Sequence, residues 1–155
     1  MSPARSRLLL ALAGVAVVVG LPLAGKWARP DPGDRCALDG LKIEPLYRVR
    51  VVDRAGGSRR FCCVRCAGLW LARQGAAPEA VYVTDEAGGE EIDSWSATFV
   101  QSPVATNPIT GNRVHVFRDR AAAEEHVRAF GGWVLTGADR PFQVTPGSAA
   151  GVRSR

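Results

Sequence analysis

Tyr47-Arg48-Val49-Arg50-Val51, then Ala55-Gly56-Gly57-Ser58, then Arg59-Arg60-Phe61-Cys62: these three stretches decide the fold. The first alternates apolar and basic residues, the period of a strand with one face buried. The second is turn chemistry, and the third is the returning strand, so the set reads as a β-hairpin. From Cys63 to Gln74 the period lengthens. Ala67, Trp70 and Leu71 fall at helical spacing and Gly75 stops the run, which predicts a helix. Ala80-Val81-Tyr82-Val83-Thr84 is a third strand, giving the order β-β-α-β.

The same order recurs downstream. Ser96 to Gln101 is predicted as a strand, Val104 to Asn112 as a long turn rich in Thr, Pro and Gly, and Arg113 to Phe117 as the next strand. Asp119 is placed to cap a helix running to Phe130, and Gly131-Gly132 end it. Trp133-Val134-Leu135 closes the unit. The expected class is therefore α+β, with two tandem β-β-α-β units spanning residues 36–85 and 86–138. Trp70, Trp95 and Trp133 are expected in the core. The tail 139–155, with Pro141, Pro146, Gly147 and Gly151, lacks apolar periodicity and is expected to be disordered.

Ahead of these units, Leu8 to Gly25 carries no charge and follows Arg5 and Arg7. Eighteen residues of helix reach roughly 27 Å, enough to cross a bilayer core. No cysteine follows Gly25 to accept a lipid, and Pro22 and Leu23 crowd the positions of a small-x-small cleavage site. Residues 1–25 are therefore expected to form an uncleaved transmembrane helix in the cytoplasmic membrane. It would pass once, with everything beyond a Pro30/Pro32-stiffened linker (residues 26–35) in the periplasm.

Lys and Arg number 20 against 15 Asp and Glu, a net charge of +5 that falls to +3 without Arg5 and Arg7. That balance excludes a nucleic-acid binder. The charge is unevenly spread. Lys42, Arg48, Arg50, Arg54, Arg59, Arg60, Arg65 and Arg73 crowd residues 42–73 against Glu44 and Asp53, whereas residues 85–93 hold Asp85, Glu86, Glu90, Glu91 and Asp93 and no base. A basic setting and a helix start are both expected to favour thiolate over thiol.

The chemistry lies in the cysteines. Three of four stand in Phe61-Cys62-Cys63-Val64-Arg65-Cys66, and the fourth opens Cys36-Ala37-Leu38-Asp39-Gly40. Thiolates select soft ions, Cu(I) foremost, with Zn(II) or Hg(II) as further possibilities. Structural disulfides and a Cys63/Cys66 redox pair at a strand-to-helix junction are the competing readings. Cys62 and Cys66 are one helical turn apart and share a face, while strand alternation would turn Cys63 the other way. The expected ligands are thus Cys36, Cys62 and Cys66, with Cys63 a core thiol and Asp39 a turn residue before Gly40. His115 and His126 read as structural. Alanine at position 67 excludes a covalent haem motif, and no Ser/His/Asp arrangement or phosphate-binding glycine loop occurs.

Cys36-Ala37-Leu38-Asp39-Gly40-Leu41, Asp93-Ser94-Trp95-Ser96-Ala97-Thr98-Phe99-Val100, Asn107-Pro108-Ile109-Thr110-Gly111-Asn112, and Val116-Phe117 through Gly131-Gly132-Trp133-Val134-Leu135 together resemble the NosL family, accessory proteins of nitrous-oxide reductase. The resemblance spans about two-thirds of the chain. It implies a periplasmic, membrane-tethered protein of paired β-β-α-β units that binds Cu(I) for delivery to a copper-receiving enzyme. The family usually has methionine where Leu41 and Ile109 stand, and a lipid anchor where Leu8–Gly25 stands. Cys36-Ala37-Leu38-Asp39 and Phe61-Cys62-Cys63 are also similar to segments of organomercurial lyase. That second resemblance implies mercury-binding thiolates at Cys36 and Cys62, and a proton delivered by Asp39 to the departing carbon.

Overall fold

The structure, a computed structural model, describes residues 32–142. The expected anchor, most of the linker and most of the tail lie outside these residues. Among the described residues the fold is α+β, with two antiparallel sheets and two helices. No helix among them is long and apolar enough to cross a membrane.

The hairpin forms as its alternation dictates. Strands β1 (Val49–Val52) and β2 (Ser58–Phe61) pair antiparallel, with Val49 opposite Phe61 and Val52 opposite Ser58. Asp53 holds the turn, its Oδ1 accepting from the amides of Ala55 and Gly57. Helix α1 (Val64–Leu71) follows and buries Val64, Cys66 and Ala67. It ends three residues short of Gln74, because the amides of Arg73 and Gln74 turn back to Trp70 and Leu71 in tighter three-residue bonds. Strand β3 (Ala80–Thr84) returns beside β1.

An unexpected strand, β4 (Glu91–Asp93), then pairs with β3 and completes a four-stranded sheet in the order β2-β1-β3-β4. The second sheet has the order β6-β5-β7, from β5 (Thr98–Gln101), β6 (Val114–Phe117) and β7 (Trp133–Val134). Helix α2 (Arg120–Phe130) connects β6 to β7. Asp119 occupies its N-cap position, yet its side chain makes no capping bond. Past the other end of α2, Gly132 is fixed at φ +105°, where a Cβ would lie 2.0 Å from the Gln101 carbonyl oxygen.

Burial explains the layering. Val49, Val51, Phe61, Val81, Val83 and Ile92 of the first sheet share one core with Phe99 and Val116 of the second and with Ala97 just before β5. A smaller cluster joins Val100 of β5 and Phe117 of β6 to Ala123 of α2. Between the sheets, Glu86 donates its amide to the Val116 carbonyl and accepts the Val116 amide on Oε1. The three tryptophans do not all join this core. Trp70 is half-buried against Phe61, whereas Trp95 and Trp133 are exposed. Trp133 sits on β7, an edge strand of only two residues, and nothing among the described residues covers it.

Candidate metal centre

Strand alternation fails two residues before the helix, and the site depends on that failure. β2 ends at Phe61, so Cys62 and Cys63 form a bend rather than strand. Cys63 is the N-cap of α1 in an extended conformation, and Cys66 lies in the first turn. Cys62 Sγ is consequently 3.6 Å from Cys66 Sγ and 3.9 Å from Cys63 Sγ. Adjacent cysteines expected on opposite faces thus bring their sulfurs close. All four cysteines are buried free thiols packed into the main core.

Cys36 arrives from a separate loop. Its amide bonds to the Leu41 carbonyl and its carbonyl accepts the Gly40 amide, a closed turn that needs Gly40 at φ +74°. An Arg35–Lys42 bridge forms the stem, and the Ala37 amide donates to the Arg60 carbonyl of β2. The loop is thereby pinned to the strand that leads into Cys62.

Asp39 divides its carboxylate between two jobs. Oδ1 accepts the Leu41 amide at 3.0 Å, the turn bond expected from sequence. Oδ2 accepts the Cys66 thiol at 3.1 Å and faces the Cys62 thiol at 3.7 Å. One ligand atom each from Cys36, Asp39, Cys62 and Cys66 lies within 4.8 Å of the others. Two sulfurs on one three-coordinate ion with bonds of roughly 2.3 Å stand about 4 Å apart, so the spacing suits a thiolate-bound metal. Neither histidine belongs to this group. Buried His115 bonds Glu86 at 2.7 Å and the Val104 carbonyl at 3.1 Å, and His126 stacks on it while bonding Ser102.

The electrostatics run against the basic composition. Burial pushes the Cys62 thiol well above its ordinary pKa, and proximity to Cys63 adds to it. Cys66 is raised too, first by burial and then because its proton is held by Asp39. The nearby arginines do not reverse this, since Arg59, Arg60 and Arg65 are exposed and their charge is screened by water. Asp39 is lowered. Desolvation opposes ionisation, but the Leu41 amide and the thiols of Cys66, Cys36 and Cys62 outweigh it. The metal-free site therefore sets two thiols that resist ionisation, Cys62 and Cys66, against one carboxylate that favours it. A positive ion removes the penalty, because a coordinating thiol is deprotonated outright.

Two residues that sequence reasoning leaves in a turn complete the surroundings. Thr110 Oγ1 lies 3.5 Å from Cys63 Sγ. Asn112, buried, accepts the Arg65 amide on Oδ1 at 3.2 Å and donates through Nδ2 to the Val114 carbonyl. The Cys63 side chain makes no capping bond to α1, so Asn112 of the second unit satisfies a first-turn amide instead. The signal was Asn107-Pro108-Ile109-Thr110-Gly111-Asn112, whose two ends bridge each other and whose Asn107 Oδ1 accepts the amides of Ile109 and Thr110.

No family model matches the chain, and no curated protein is similar to it in sequence. Among solved structures it is similar to the copper chaperone NosL from Shewanella denitrificans. The two are 21% identical, with a TM-score of 0.61 over 75% of this chain and 96% of that one. At that identity the likeness is one of architecture: the chain has the fold of NosL.

Proposed function

We propose that this chain is an exported, membrane-tethered Cu(I) carrier that holds its ion on Cys36, Cys62 and Cys66 and passes it to a copper-receiving enzyme or another metal-handling protein. The observation that carries the reading is the convergence of three buried sulfurs and one carboxylate within 4.8 Å. Soft sulfur donors favour Cu(I), and three of them suit its trigonal geometry. Zn(II) would want a fourth ligand, with Asp39 the donor in reach. The fold shared with a protein described as a copper chaperone supports the same reading. Asp39, the exposed member of the group, gives the sulfurs a polar edge toward solvent, by which an ion enters and leaves.

The test is native mass spectrometry of the reduced domain with Cu(I), Zn(II) and Hg(II) offered in competition, followed by Cu(I) affinity against a chromophoric chelator. Cu(I)-loaded protein is expected, with Cys36→Ser, Cys62→Ser and Cys66→Ser each weakening binding by about 100-fold or more. Preference for Zn(II), or no bound metal, overturns the reading.

The position of Asp39 Oδ2 against two thiols favours one alternative, cleavage of an organomercurial. In that reaction the C–Hg bond breaks, the proton passes through Asp39 to carbon, the hydrocarbon leaves and Hg(II) stays on the thiolates. Wild type would then release hydrocarbon from an alkylmercury compound and Asp39→Asn would not. Absence of turnover by wild type between about pH 6 and 8 removes this alternative.

A further inference from the structure

We infer that the site has room in its ligand set for a second Cu(I), bound through Cys63 and sharing the Cys62 thiolate with the first ion. The inference rests on the Cu(I) reading above and goes beyond it in stoichiometry and in the role of Cys63. Cys62 Sγ has two sulfur neighbours within contact distance, Cys66 at 3.6 Å and Cys63 at 3.9 Å. Both separations match the roughly 4 Å expected for two thiolates on one ion with bonds of roughly 2.3 Å. A central thiolate so placed can bridge, and soft thiolates are the ligands on which Cu(I) ions share a sulfur.

Charge permits it as well. One Cu(I) on three thiolates carries −2. The second ion replaces the Cys63 proton, which leaves to solvent, and two Cu(I) on four thiolates again carry −2. Loading the second ion thus adds no net charge to a buried site, so the desolvation cost that limits buried ions does not grow. Thr110 Oγ1, 3.5 Å from Cys63 Sγ, supplies a hydroxyl for the new thiolate. All four cysteines are free thiols in the structure, so each sulfur is available as a ligand when the protein is reduced.

The experiment is a Cu(I) titration of the reduced domain read by native mass spectrometry, with X-ray absorption on wild type at two equivalents. Wild type is expected to take two ions and to show a copper–copper scattering shell. Cys63→Ser is expected to take one ion while keeping the first ion's affinity within about threefold, since the first ion's ligands are untouched. Wild type that saturates at one tightly held ion overturns this inference and leaves the carrier reading standing. Wild type that takes none overturns both. Should Cys63→Ser fail to fold, the wild-type stoichiometry and scattering shell decide alone. Two ions retained by a folded Cys63→Ser also overturn the inference.

Discussion

Asp39 shows how much a single side chain carries here. Its two oxygens serve the Leu41 amide and the Cys66 thiol at once, so turn residue and site residue are the same residue. The glycine beside it is less constrained than the one beside Trp133. Gly40 has φ +74°, but a methyl added there would meet nothing within 4 Å, so Gly40→Ala is expected to cost only about 1 kcal/mol. Gly132→Ala meets the Gln101 carbonyl and a positive φ together and should cost about 2–4 kcal/mol. Urea denaturation of both variants measures the contrast. The thiols give a second expectation. Burial raises Cys62 and Cys66, so each keeps its proton in the folded protein at a pH where it would lose it unfolded. Above the ordinary thiol value near 9 the unfolded state binds fewer protons than the native one, so metal-free stability falls as pH rises. On the proposed reading metal binding has the opposite sign: thiol protons would be released, and Cu(I) affinity is expected to rise by about tenfold per pH unit for each. Chelator competition between about pH 6 and 8, beside urea curves from pH 7 to 10, separates the two. Affinity independent of pH would mean the ion is not held by these thiols.

At the scale of elements, α1 begins without a cap of its own, and its Arg65 amide depends on Asn112 from the other unit. Asn112→Ala leaves that amide and the Val114 carbonyl short of a partner, costing about 1–3 kcal/mol. Hydrogen exchange at the Arg65 amide should quicken, and Cu(I) affinity should fall because Cys66 sits in the same turn. Unchanged exchange at Arg65 would deny Asn112 this role. The hairpin, both helices and the strand after each are legible because period and turn residues agree, as in Val49 and Val51 against Ala55-Gly56-Gly57-Ser58. Glu91–Asp93 is not. Its one apolar residue, Ile92, gives no period, and the strand exists because β3 offers an edge to pair with. Cys62 and Cys63 escape the pattern for a related reason: alternation holds only while the strand lasts, and β2 stops at Phe61. Residue type alone puts Trp95 and Trp133 in the core, and residue type does not register an edge.

For the molecule as a whole, the pairing of units is what sequence conveys least. Two β-β-α-β orders are readable, but not that Phe99 and Val116 join the core of the first sheet, nor that a turn of the second unit reaches Cys63 and Arg65. Those are long-range contacts, with no local period to announce them. The thiol site therefore belongs to the assembled domain rather than to its first unit. On the proposed reading, its place in the cell depends on a separate segment. Leu8–Gly25 has the length and apolarity of a bilayer span, the bases Arg5 and Arg7 precede it, and Trp27–Asp34 leads from it to the domain. An uncleaved anchor so oriented would hold the domain on the exported side within reach of other membrane-bound copper handlers. The full chain is expected to remain in the membrane fraction after alkaline washing, and a phosphatase fused behind residue 142, active only when exported, should be active. Replacing Ala13, Ala16 and Val19 by arginine should abolish both, because each charge near the centre of a span costs about 2.5–3.5 kcal/mol of insertion. A protein released by the wash, with a new N-terminus near Lys26, would identify the segment as a cleaved signal and the carrier as freely diffusing.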